Sequence, residues 1–64
     1  MPEKDYNEVA DRLMEQIEKY REEAAAFYNK GNKSAAARAR KALKDLMDDA
    51  KAEWKDIQER KKSM

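Results

Sequence analysis

An all-α fold, specifically an antiparallel two-helix hairpin, is predicted by three features of this 64-residue chain. Helix breakers are nearly absent: there is one glycine, Gly31, and one proline, Pro2. Apolar side chains recur at alternating steps of four and three on both sides of that glycine, the spacing of a helical stripe. The two stripes also match each other when the chain is folded about Gly31–Asn32. A single domain over residues 1–64 is expected, close to the lower limit for a self-sufficient core.

The first helix is predicted over about residues 5–30. Asp5 followed by Glu8 resembles a capping box. The stripe runs Tyr6, Ala10, Leu13, Ile17, Tyr20, Ala24 and Phe27, widened by Val9, Met14 and Tyr28. Glu8–Arg12 and Glu15–Lys19 have the i,i+4 spacing of ion pairs on a solvated face. A turn follows at 31–33, where Gly31 and Asn32 are the residue types a helix C-terminus prefers. Ser34 is expected to cap a second helix over about 35–61. Its stripe runs Ala36, Ala39, Leu43, Leu46 or Met47, Ala50, Trp54 and Ile57. Lys41–Asp45 and Lys44–Asp48 have the spacing of ion pairs, and "RKKSM" is expected to fray.

Folding about the turn pairs Phe27 with Ala36, Ala24 with Ala39, Tyr20 with Leu43, Ile17 with Leu46, Leu13 with Ala50 and Tyr6 with Ile57. Each pair of position numbers adds to 63. Large residues tend to meet small ones, as an interdigitated seam requires. Arms of roughly 25 residues would be about 37 Å long. The apolar surface is wider than one narrow seam needs, so a homodimer forming a four-helix bundle is expected.

Several chemistries are excluded or disfavoured. The chain has no Cys, His or Thr, which removes disulfides, thiolate metal sites and the usual acyl-transfer constellations. Asp45, Asp48 and Asp49 read as a solvated helix face rather than a metal site. Carboxylate-bridged metal bundles use Glu-x-x-His pairs, which this chain cannot supply. No glycine-rich phosphate loop is present. Neither an enzyme, a cofactor, a metal nor a small-molecule substrate is expected. The start, "MPEKDYNE", does not read as a signal peptide. No apolar run approaches the roughly 18 residues of a membrane span. Tyr6, Tyr20, Phe27 and Trp54 lie on the stripe and read as core, whereas Tyr28, at the edge beside the turn, is the aromatic most open to a contact role.

Charge is distributed unevenly. Residues 1–29 carry net −4, residues 30–44 net +6 and residues 45–64 net −1. The positive block comprises Lys30, Lys33, Arg38, Arg40, Lys41 and Lys44, with no acid among them. A helix N-terminus favours acids in its first turn, and each misplaced cation costs a few tenths of a kcal/mol, as an order of magnitude. Elsewhere the sequence obeys the rule, so this local violation marks a functional site. An anion would relieve it. Backbone N–H groups at Ser34, Ala35 and Ala36 could receive a phosphate, with small alanines leaving room. At about 100° per residue, Arg38, Lys41, Lys44 and Arg40 fan over roughly 160° on the side away from the stripe. A fan suits a line of phosphates.

The stretch "YNKGNKSAAARARKALKDL" resembles the bacterial linker-histone-like proteins of chlamydial type. The matching positions are Lys30, Gly31, Asn32, Lys33, Ala35, Ala36, Arg38 and Arg40, with Phe27 and Tyr28 as the aromatic pair before the turn. The resemblance covers roughly 20 residues and implies a histone-like, DNA-binding protein of the bacterial nucleoid, hence cytoplasmic. Many members append a long Lys/Ala/Pro-rich tail. This chain ends at "ERKKSM" and its arms are acidic, so binding is expected at the tip, through backbone phosphates and without strong sequence preference. The expected DNA contacts are Arg38 and Arg40, then Lys30, Lys33, Lys41 and Lys44, with Ser34 as cap and phosphate ligand. Two other readings remain open: an oligomerising adaptor whose basic tip meets an acidic protein, and an RNA-binding bundle.

Overall fold

A computed structural model describes residues 5–64; residues 1–4 of the expected domain lie outside the described residues. Helix α1 spans Tyr6–Lys30 and helix α2 spans Lys33–Ser63. The two lie against each other as a rod of 49 × 16 × 12 Å. Helix α2 has 31 residues against 25 in α1, so its C-terminal end overhangs by about six residues, about 9 Å.

The caps explain the boundaries. Asp5 Oδ1 accepts from the N–H groups of Asn7 at 3.1 Å and Glu8 at 3.4 Å, satisfying donors that have no partner within the helix. Helix α1 ends where Gly31 turns left-handed, with φ 68° and ψ 24°. A Cβ at Gly31 would meet nothing within 4 Å, so the requirement for glycine is one of backbone conformation rather than space. The turn lets Gly31 N–H reach the Phe27 carbonyl and Asn32 N–H the Ala26 carbonyl.

Asn32 then opens α2. Its Oδ1 accepts from Ala35 N–H at 3.2 Å. The cap expected at Ser34 therefore sits two residues earlier, and Lys33 and Ser34 belong to the first turn of α2. Asn is as good a cap as Ser, and placing it next to the glycine shortens the connection to two residues.

That short connection shapes the seam. The residues of α2 that α1 buries are Ala35, Ala39 and Ala42, followed by the half-buried Leu46, Asp49, Glu53, Asp56 and Arg60. Across from them lie the half-buried Val9, Leu13, Gln16, Tyr20, Glu23 and Phe27. Both series keep four-three spacing and share Leu13, Tyr20, Phe27, Ala39 and Leu46 with the expected stripes, but they replace the other expected members. A correction follows: Tyr6, Ile17, Leu43, Trp54 and Ile57 are exposed, Tyr6 at 68% and Trp54 at 61%. Beside so tight a turn, three alanines allow close approach of the helices, whereas Leu43 and Trp54 would hold them apart.

Two cross-helix contacts lock this register. Gln16 Nε2 donates to Asp49 Oδ2 at 2.6 Å, and Arg38 Nε donates to Glu23 Oε2 at 2.6 Å. Among the described residues the ion pairs are Glu18–Arg21, Glu23–Arg38 and Asp56–Arg60. The four i,i+4 pairs expected from spacing are not among them.

The displaced members of the expected stripes form an outer surface. With about 100° per residue, Tyr6, Ala10, Ile17 and Ala24 lie about 80° round α1 from its seam. Leu43, Met47, Trp54 and Ile57 lie about 90° round α2 from its own. Because the helices run in opposite directions, both offsets open on the same side of the hairpin. Near the turn, Tyr20, Ala24, Phe27, Ala36 and Leu43 line one groove there. The expected partners Phe27 and Ala36, Ala24 and Ala39, and Tyr20 and Leu43 thus share a groove wall, though Leu43 remains exposed. The other side is charged, with Arg12, Arg38, Lys41, Asp45 and Asp56 on it.

Candidate nucleic-acid interface

The site is the turn end of the rod. Lys30 closes α1, and Lys33, Ser34, Arg38, Arg40, Lys41 and Lys44 occupy the first three turns of α2; all seven are exposed. No acid lies in the first turn of α2, whereas Glu8 lies in that of α1 and Lys30 in its last. The tip therefore adds side-chain cations to the positive end of the α2 dipole. Among the described residues, Lys30, Lys33, Arg40, Lys41 and Lys44 have no ion-pair partner.

Arg38 differs. Its Nε is held by Glu23 across the hairpin, and its side chain remains 51% exposed. The guanidinium is thereby oriented, with its two Nη groups left for another acceptor. Glu23 offsets one of the six cations, a role that spacing along the chain did not reveal.

The backbone part of the site is narrower than expected. Ala35 is fully buried and its N–H is taken by Asn32, so it cannot face a phosphate. Ala36, one turn beyond the cap, lies in the helix. Of the expected donors only Ser34 N–H remains, joined by that of Lys33 in the same first turn. Beside them Phe27 and Tyr28 stack edge-to-face, with ring centroids 4.9 Å apart, and Tyr28 is 77% exposed. Arg40 borders the same groove as Tyr28.

Among the described residues no group of three or more His, Cys, Asp or Glu is placed to hold a metal ion. No described helix is long and apolar enough to cross a membrane.

The hairpin is thus a two-helix rod whose exposed positive charge is concentrated at its turn end. The chain belongs to the family of the histone H1-like protein Hc1, whose family model matches residues 7–63. The match takes in both helices, well beyond the turn stretch that carries the resemblance in the sequence. Neither the curated proteins nor the solved structures contain a match.

Proposed function

We propose that this protein is a nucleoid-associated, histone-like protein that holds duplex DNA by its backbone phosphates at the hairpin tip. The observation that carries the reading is the block at 30–44. It holds six cations and no acid, and among the described residues five of the six are exposed without an ion-pair partner. Membership of a histone H1-like family supports DNA as the polyanion. Arg40 and the outward Nη groups of Arg38 supply bidentate contacts; Lys30, Lys33, Lys41 and Lys44 supply point charges; Ser34 supplies a hydroxyl and a backbone N–H. Phosphate contacts of this kind fix position without reading bases.

The protein works as a homodimer joined through the apolar side of the hairpin, forming a four-helix bundle. Among the described residues, one hairpin buries three alanines fully enough to count as core, which leaves Trp54, Met47, Ile57 and Tyr6 in water. Those side chains lie along one side of a rod 49 Å long, a surface that a second copy would cover.

The test is duplex binding against salt. With four to six phosphates neutralised per tip, log K falls with log salt at a slope of about −3.5 to −5.5. The double substitution Arg38→Ala and Arg40→Ala flattens the slope by about 1.8 and leaves the helical circular-dichroism signal intact. Undiminished binding by the double variant would remove the tip as the site. Tighter binding to an RNA duplex of equal length would make RNA the ligand, and salt-insensitive capture of an acidic protein would make the molecule an adaptor.

A further inference from the structure

The apolar side of α1 reads the same from either end, while on α2 the match is limited to Leu43 and Ile57, since Met47 and Trp54 stand opposite Glu53 and Leu46. On α1, Ile17 stands midway between Ala10 and Ala24 and also midway between Tyr6 and Tyr28. On α2, Leu43 and Ile57 stand equally far from Ala50. The Gln16–Asp49 hydrogen bond sets these two centres side by side, close to the middle of the rod. A pattern symmetric about its own midpoint is self-complementary under an end-to-end half-turn. Such a half-turn lays α1 on the α1 of a second copy and α2 on its α2, with Ala on Ala and Tyr on Tyr.

The alternative two-fold axis runs along the rod. It stacks α1 on the second copy's α2 and brings the two tips together. Charge separates the two arrangements. Tips together place two blocks of net +6 side by side. The end-to-end half-turn instead sets each tip over segments 5–13 and 53–64 of the second copy, which carry six acids and five bases. Like charge is avoided only in the second case.

Resting on the dimer and the DNA-binding tip proposed above, we infer that the dimer is two-ended, with its cationic tips at opposite poles about 42 Å apart, twice the fourteen-residue rise from Ile17 to Gly31.

The chain has no cysteine, so a single introduced one is unique. A spin label on Asn29→Cys, at an exposed position beside the tip and outside the cation set, reports the tip-to-tip distance in the full-length dimer. The two labels, each twelve residues from the Ile17 centre, are expected about 36 Å apart. Ile17→Cys, at the symmetry centre, should form a disulfide-linked dimer on mild oxidation. A short distance, near 20 Å, in a species of dimer mass overturns the two-ended arrangement while leaving the dimer and the tip in place. Monomer mass with intact salt-dependent duplex binding overturns the inference by removing the dimer, and leaves the tip reading standing.

Discussion

Glu23 holds Arg38 back from the solvent side of the tip, so its removal should strengthen DNA binding. The substitution Glu23→Gln deletes the carboxylate that, among the described residues, pairs with the cation set, at 2.6 Å from Arg38 Nε. Local charge at the tip rises by one. If Arg38 then engages a phosphate fully, the salt slope steepens by about 0.9, which at 0.1 M salt corresponds to about 8-fold tighter binding. The stability lost with a partly exposed ion pair is under about 1 kcal/mol, so the hairpin survives the change. Fluorescence anisotropy of a labelled duplex titrated at four salt concentrations gives slope and affinity together. Circular dichroism on the same samples confirms the fold. An unchanged slope and affinity would refute the reasoning, because either Arg38 contacts no phosphate or Glu23 does not restrain it. Weaker binding would show instead that Glu23 positions Arg38, and that orientation matters more than the offset charge.

The other substitutions probe the parts of the fold that the site depends on. Asn32→Ala removes the cap on Ala35 N–H and should destabilise the hairpin by about 1 kcal/mol, lowering Tm by about 4–8 °C, whereas Ser34→Ala should leave Tm nearly unchanged. Equal effects of the two would contradict the cap assignment. Met47→Glu puts a charge on the apolar side near its centre and outside the hairpin seam. Light scattering should report a monomer, and a dimer that persists would place the interface elsewhere.

Much of this protein was legible along the chain. The two helices, the glycine turn, the Asp5 cap and the concentration of cations around the turn all follow from local rules. Those rules concern capping groups, φ > 0 at one residue and helical spacing, and each acts over four or five residues. The stretch from Tyr28 to Leu46 sufficed to suggest the family that the match over residues 7–63 shows. The face each helix buries was not legible. On α1 the expected series Tyr6–Ala10–Leu13–Ile17–Tyr20 and the observed series Val9–Leu13–Gln16–Tyr20 share Leu13 and Tyr20 and part by one position at Ala10 and Val9 and at Ile17 and Gln16. Hydrophobicity alone favours the series with the larger side chains. The sequence carries no local signal for Glu23 either, since its partner is fifteen residues away and across the turn.

What the chain alone determined, then, is the set of elements and the location of charge, because both depend on neighbours in sequence. The rotation of α2 against α1 was decided only in three dimensions. A two-residue connection and three small side chains bring the helices close along the alanines. That choice leaves Trp54, Met47, Ile57 and Ile17 outside, free for a second copy, and it brings Glu23 to Arg38. Register is a property of two helices in contact, and no spacing within either one encodes it.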